Sequence, residues 1–377
     1  MNDLLNKLDL ERNNIVKTYR DLHILAEPSW EEKKTAAYLK ERLAKVNNIS
    51  VTSFKTHHGF IAEIKGKSAD VIALRTDLDA LLQEVDGVVQ PNHSCGHDAH
   101  ATMVLYSAII LGQVKEQFNH TIRFIFQPAE EKAGGALQMM KDGALDRVRF
   151  LGGIHLRPAF EVPMGMASPV IIHSSTATIT GIIKGVQAHA ARPELGNNPI
   201  EAAAFLIQEM KKINLIENDS IKMTELHAGE ASNIIPESAR FTFDLRAKTN
   251  ERMDQLIHNA KEILTKVAKQ TNTAIDTKIL ERLPAAITNE HAIMLAEKAI
   301  THVLGAENVK STCISPGGED FHFYTYHHPA IAATMIGLGC DLKPGLHHPK
   351  MSFNTDALLN GTKILTDMII QADLKQW

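Results

Sequence analysis

Within nine residues, Asn92 to His100, the chain places a thiol (Cys95), three imidazoles (His93, His97 and His100) and a carboxylate (Asp98). Cys95 and His97 are two apart, and in an extended or turning segment such side chains can point the same way and grip one metal ion. Taken alone, the segment reads equally well as an ordinary polar loop. An apolar run, Phe124-Ile125-Phe126, closes in Gln127-Pro128-Ala129 and the adjacent carboxylates Glu130 and Glu131, for which a simple acidic turn is the competing account. Two further runs end in imidazoles, Gly153-Ile154-His155 and Gly345-Leu346-His347-His348-Pro349. A lone histidine at such a place is more often a packed core or loop residue. Four segments carrying ligand-type residues at the ends of predicted elements argue jointly for a metal centre, because α/β sheets assemble their sites at strand ends.

The chemistry such a centre supports is hydrolysis. Cleaving an amide needs a nucleophilic water, whose pKa divalent ions lower from ~15.7 toward ~7, while a carboxylate held off the metal takes and returns the proton. Adjacent Glu130 and Glu131 allow that division of labour. Asp77, at the end of another apolar run, is expected to orient a ligand imidazole, with helix N-capping as the alternative for both Asp77 and Asp79. Neither a Gly-x-Ser-x-Gly nucleophile turn nor a Gly-x-x-x-x-Gly-Lys phosphate loop occurs in the sequence.

The elements that must carry these residues follow from the apolar pattern. Val71–Leu74, Ile122–Phe126, Leu151–Ile154 and Ala333–Ile336 read as buried strands separated by helical stretches, the rhythm of a helix-covered sheet. Ser29 and Glu32 have capping-box spacing and predict an amphipathic helix running to Leu43. From about Ser175 the rhythm changes to β-α-β-β-α-β: strands at 177–183, 223–226, 239–245 and 274–279, helices at 199–213 and 251–269. The expected organisation is therefore α/β: a mixed-sheet catalytic domain of residues 1–174 and 289–377, with a smaller ferredoxin-like α+β domain, 175–288, inserted into it.

Composition agrees with two globular domains, since 377 residues exceed a single ordinary core and 44% are hydrophobic against 22% charged. Lys+Arg 40 against Asp+Glu 44 leaves a formal charge of −4, which offers nucleic acid or an anionic membrane no general attraction. No apolar signal core interrupts the charged start of the chain, and three sparse cysteines, Cys95, Cys313 and Cys340, suit a reducing compartment, so a cytoplasmic protein is expected.

Eight ordered blocks give the sequence a likeness. Arg75-Thr76-Asp77-Leu78-Asp79-Ala80-Leu81, Cys95-Gly96-His97-Asp98-Ala99-His100, Gln127-Pro128-Ala129-Glu130-Glu131, Gly153-Ile154-His155, Ala188-His189-Ala190-Ala191-Arg192-Pro193, Asn233-Ile234-Ile235-Pro236, Gly318-Glu319-Asp320-Phe321 and Leu346-His347-His348-Pro349 are the segments concerned. In order, they resemble the signature blocks of the aminoacylase and hippurate hydrolase-like amidohydrolases. That family includes plant indole-acetyl-amino-acid hydrolases and bacterial N-acetyldiaminopimelate deacetylases, and is distantly related to carboxypeptidase G. The resemblance spans about Arg75 to Asp356.

By that resemblance Cys95, His97, Glu131, His155 and His347 are implied as ligands of two divalent ions, drawn from manganese, zinc, cobalt or nickel, and Glu130 as the general acid/base. His348 falls outside the family's Leu-His-x-Pro pattern of ligation. The inserted domain is implied to be a lid and homodimer surface, with His189 holding the developing oxyanion and Asn233 contacting substrate. Arg246 is implied to grip a substrate carboxylate, a structural ion pair being its alternative. One departure stands out: after Asp79-Ala80-Leu81 the chain reads Leu82-Gln83-Glu84 and reaches Cys95 sooner than many relatives, so the pocket near that loop is expected to differ. The expected activity is metal-dependent hydrolysis of the amide of a small N-acyl-amino acid. A dipeptidase or carboxypeptidase on the same scaffold, or a catalytically silent metal- or peptide-binding protein, are the rivals.

Overall fold

The structure, a computed structural model, describes residues 2–114, 117–217 and 219–377. It divides into two compact units, Met1–Ile172 with Ile287–Ile314 and Asp320–Trp377, and His173–Ala286 with Ser315–Glu319. The sequence reading leaves Ser315–Glu319 with the larger part. In the fold this segment lies with the smaller one: the Ser174 N–H donates to the Ser315 carbonyl, and Gly318 sits against Thr176 and Leu283.

The larger unit is built on a mixed seven-stranded sheet. Its strand order is Ser50–Ser53, Phe60–Ile64, Thr121–Gln127, Val71–Asp77, Val148–Pro158, Ala332–Leu342 and Ala167–Ser168. The four central strands are mutually parallel, and antiparallel strands close both edges. Parallel strands buried on both faces are read as continuous apolar runs, and Val71–Asp77 is buried at every position. Because these strands run the same way, Asp77, the Gln127–Glu131 turn, His155 and the segment leading to His347 all emerge toward the carboxyl edge of one sheet.

One helix, His97–Leu111, is buried around nearly its whole circumference: Ala99, Val104, Leu105 and Leu111 join the core with Ile154, Leu338 and Leu365. A helix apolar on all sides belongs inside a protein, and its fixed place in the core fixes the residues at its first turn. Gly96 precedes it with φ +90°, a conformation that other L-residues disfavour.

The expected capping box before the Lys33–Leu43 helix does not form. The Ser29 hydroxyl donates instead to Asp79 Oδ2, at 2.6 Å, and Glu32 Oε1 accepts from the backbone N–H groups of Trp30 and Ala129. Glu27 caps the helix in their place, accepting from the N–H groups of Lys34 and Thr35. Local spacing favoured a local cap, but both side chains found partners far along the chain, beside the candidate site.

The smaller unit is a four-stranded antiparallel sheet ordered Ser220–Ala228, Ser238–Ala247, Ser175–Lys184, Ala274–Leu283. Helices Pro199–Met210 and Asn250–Gln270 cover one face. Asn198 caps the first helix, with Pro199 at the opening position, and Thr249 caps the second. Along Ser238–Ala247 burial alternates, so Phe241, Phe243 and Leu245 face the helices while Arg240, Thr242, Asp244 and Arg246 occupy the other face.

A close approach fixes the turn that carries Glu130 and Glu131. A Cβ on Gly135 would lie 1.7 Å from the Pro128 carbonyl oxygen, so Gly135→Ala must displace that backbone. The substitution is expected to cost about 1–3 kcal/mol in denaturant unfolding, the ordinary penalty for overpacking; an unchanged midpoint would show that the turn yields freely.

Candidate metal centre

The five residues implied as ligands, Cys95, His97, Glu131, His155 and His347, come to one place. Cys95, His97 and His155 hold their donor atoms within 4.8 Å of one another, as do Cys95, Glu131 and His347; Cys95 belongs to both groups. The Cys95 Sγ lies 3.6 Å from His155 Nε2, and His347 Nε2 lies 3.5 Å from Glu131 Oε1. His97 Nε2 is 3.9 Å from carboxylate oxygens of both Glu130 and Glu131. His348 is turned to another task, accepting from the Lys350 N–H through Nδ1.

Hydrogen bonds at the far side of each ring set which nitrogen faces the cluster. His97 Nδ1 lies 2.9 Å from the Asp79 carbonyl, which can only accept, so Nδ1 carries a proton and Nε2 is the nitrogen that faces the cluster. His155 Nδ1 donates likewise to the Leu156 carbonyl at 2.7 Å, turning its Nε2 toward Cys95. His100 carries its proton on Nδ1 as well, donating to Asp77, but its Nε2 is occupied by the Leu156 N–H, so this imidazole is a strut between two strands.

Asp77 therefore orients His100, and the carboxylate on His97 is Asp79, whose Oδ1 is 3.2 Å from Nδ1. The sequence reading gave Asp77 the task of orienting a ligand imidazole. The two aspartates stand two apart on one extended segment, and alternation alone does not say which meets which ring. Asp79 does more, accepting from Ser29 and from the Glu131 N–H, so it ties one candidate ligand to another. Within the nine-residue segment Asp98 is structural, capping the Ala99 N–H and bonding His23.

The turn bearing Glu130 and Glu131 is tightly held. Ala129 and Ala133 on either side adopt φ near +50°, unusual for residues with a Cβ. Glu130 Oε1 accepts from the Asp320 N–H at 3.3 Å. Asp320 in turn takes hydrogen bonds from Arg75, Gln127 and the Ala136 N–H, and Arg75 reaches across to Asp77 at 2.6 Å.

Protonation is strained in the direction a cation would relieve. Burial, reinforced by Asp79 against the opposing His97, raises the Glu131 carboxyl to about 7. Burial, with Glu131 and Glu130, pushes the Cys95 thiol well above its usual range despite His97. Burial alone would lower His97, but Asp77, Cys95 and Asp79 hold it well above normal. Asp77, which burial would raise, is held well down by His97, His100 and Arg75. Meanwhile His97 Nε2 and Glu131 Oε1 are buried with no hydrogen-bond partner. Two orphaned buried polar atoms facing each other, beside a thiol and further imidazoles, fit a divalent cation of the borderline kind that accepts sulfur, nitrogen and oxygen together.

The residues singled out in the smaller unit are not all gathered. His189 and Asn233 flank a two-stranded ribbon, Ala188–His189 against Ile234–Ile235, and the Ala190 N–H donates to the Asn233 carbonyl. His189 Nδ1 accepts from the Ala191 N–H at 3.1 Å, which leaves Nε2–H as the outward donor of the neutral ring. Arg246 stands on the four-stranded sheet in a bidentate pair with Asp244, both contacts 2.8 Å. The ion pair that was its alternative is thus present. Asp79 as the His97 partner, Ser29 and Asp320 were not marked as site residues by sequence reasoning; only the membership of Asp79 and Asp320 in two of the motif blocks signalled them.

Comparison with known proteins agrees with this geometry. The profile of peptidase family M20/M25/M40 matches residues 73–371. The N-acetylcysteine deacetylase of Bacillus subtilis is 29% identical over 374 residues, covering 94% of this chain and 96% of its own. An N-acetyldiaminopimelate deacetylase of Streptococcus thermophilus is 29% identical, covering 92% and 95%. A solved Bacillus subtilis structure, described as a dinuclear metal binding peptidase from the M20 family, superposes with TM-score 0.84 at 26% identity, covering 98% and 99%.

Metal uptake is expected to release protons and to tighten as pH rises from about 6 to 8, since the raised Glu131, Cys95 and His97 protons must leave before these groups ligate. Calorimetry in buffers of different ionisation enthalpy measures this directly, and buffer-independent heats would contradict it. Asp79→Ala should weaken metal binding about 10–100-fold, the usual effect of losing a partner behind a ligand imidazole.

Proposed function

The chain belongs to peptidase family M20/M25/M40, and from that premise we propose that it is a metal-dependent amidohydrolase cleaving the amide bond of N-acyl-amino acids. The observation that supports this reading best is the split between neighbouring carboxylates. Both can join His97 in a ligand group, but of the two it is Glu131 that also groups with Cys95 and His347, while Glu130 accepts the Asp320 N–H. A module that merely bound metal would have no use for a second carboxylate at that distance.

On this reading two divalent ions are held by Cys95, His97, Glu131, His155 and His347. Manganese, zinc, cobalt and nickel are all compatible with such a mixed donor set. When bound, such ions lower the pKa of water and polarise a carbonyl. Glu130 takes the proton of the attacking water and delivers it to the leaving nitrogen, its carboxylate aimed by the Asp320 N–H. Asp77 contributes through His100, fixing the ring that braces the Leu156 backbone next to His155. His189 donates through Nε2–H to the developing oxyanion, and Asn233 contacts substrate. Arg246 meets the substrate carboxylate through Nη1, which the bidentate pair with Asp244 leaves aside and which lies 3.5 Å from the Pro316 carbonyl. The smaller unit serves as lid and homodimer surface.

No helix among the described residues is long and apolar enough to cross a membrane. A cytoplasmic setting belongs to the same proposal, because Cys95 ligates only as a reduced thiolate.

Chelator-stripped protein, re-supplied separately with manganese, zinc, cobalt and nickel, should recover hydrolysis of N-acetyl-amino acids in preference to dipeptides. Preference for dipeptides would transfer the assignment to a dipeptidase. Glu130→Ala should retain metal and lose turnover by about 10²–10⁴-fold; retained turnover would remove it as the base.

A further inference from the structure

His347 is poorly equipped to stay where it is. Its side chain is 54% exposed, so packing does little to hold it, and its backbone adopts φ +63°, a region L side chains disfavour. The loop that carries it is closed at its base by two hydrogen bonds between Lys343 and Ser352, and a Cβ added at Gly345 within it would meet nothing within 4 Å. What fixes the tip is the short hairpin Leu81–Val85 and Val88–Asn92, the segment where the sequence departs from many relatives. Gln83 Nε2 donates to the His347 carbonyl at 2.8 Å, and Asn92 Nδ2 donates to the Pro349 carbonyl at 3.0 Å. The His347 N–H donates to the Ser94 carbonyl at 2.8 Å.

The other end of the Gln83 amide is equally committed. Its Oε1 accepts from Asn92 Nδ2 at 3.1 Å and from the Ser94 hydroxyl at 2.8 Å. A backbone carbonyl can only accept, so the amide orientation is settled by the His347 contact. One side chain thus joins Ser94, the residue before Cys95, to the carbonyl of His347, and Cys95 and His347 both belong to the Cys95, Glu131, His347 group. The third member is held four residues earlier on the same segment, where Asp79 Oδ2 accepts the Glu131 N–H. Glutamine suits the place because it offers a donor and an acceptor at once. Glutamate would lose the donor, and asparagine is one methylene too short.

We infer that Gln83 is a positioning residue for the metal centre: it holds the His347 loop in its disfavoured conformation so that the imidazole meets Glu131 and Cys95. The inference rests on the proposed metal-dependent reading and adds a determinant that lies outside the ligands themselves.

The test uses the full chain, stripped with chelator and titrated with cobalt(II), following retained cobalt and the visible absorption that reports coordination geometry. Gln83→Ala and Gln83→Glu should each weaken cobalt binding about 10–100-fold and shift the absorption bands, with thermal unfolding of the metal-free protein close to wild type. Val89→Ala, on the same hairpin at a residue 65% exposed, should behave as wild type in both readouts. Wild-type affinity and bands in both Gln83 variants would overturn the inference, as would an equal loss in Val89→Ala, which would assign the effect to the hairpin as a whole. Failure of the wild-type chain itself to take up cobalt would instead overturn the metal reading, and this inference with it.

Discussion

Arg75 is buried to 2% exposure in the middle of the sheet, and the arrangement of the site depends on its charge. Its guanidinium meets Asp77 on its own strand, Gln127 on the neighbouring strand and Asp320 from a segment 245 residues away, at 2.6, 2.8 and 2.6 Å. Desolvation penalises carboxylates in so dry a place, and Arg75 joins His97 and His100 in holding Asp77 ionised. With Arg75 between them, Asp77 anchors His100, and Asp320 aims its own N–H at Glu130. Removing either partner of such a group leaves an uncompensated buried charge, so these residues stand or fall together.

The same logic of distant ties runs through the rest of the centre. Asp79 links Ser29, His97 and Glu131, drawing three separate stretches of chain onto one carboxylate. Glu32 holds the backbone just before the Glu130–Glu131 turn. Burial raises the Glu32 carboxyl to about 7, so this contact is made by a group poised between its two protonation states. The candidate ligands are thus placed by strand ends and then trimmed into orientation by hydrogen bonds from loops and helix starts.

Much of this was legible in the sequence, and the limits are physical. Apolar runs marked the central strands because strands buried on both faces leave no polar interruptions, and the residues after each run turned out to be those that converge. The β-α-β-β-α-β rhythm of the smaller unit was equally plain, since each element there is amphipathic. The partners that select a tautomer were not legible: nothing local distinguishes Asp77 from Asp79, and Ser29 with Glu32 carried a local signal that the fold overrode. The positive φ of His347 was hidden as well, because a histidine gives no warning of left-handed backbone as a glycine would.

The division of the larger unit into separated stretches of chain has an outcome in time. The strand Ala332–Leu342 lies parallel to Val148–Pro158, with Gly337 opposite His155, and the whole smaller unit is spelled out between them. A ribosome working from the amino end therefore releases Cys95, His97, Glu131 and His155 long before His347 can join them. Domains fold largely as units during synthesis, and contacts between residues far apart in sequence form late. The group of donor atoms formed by Cys95, Glu131 and His347 is therefore completed only when the last few dozen residues emerge, as the sheet nears closure.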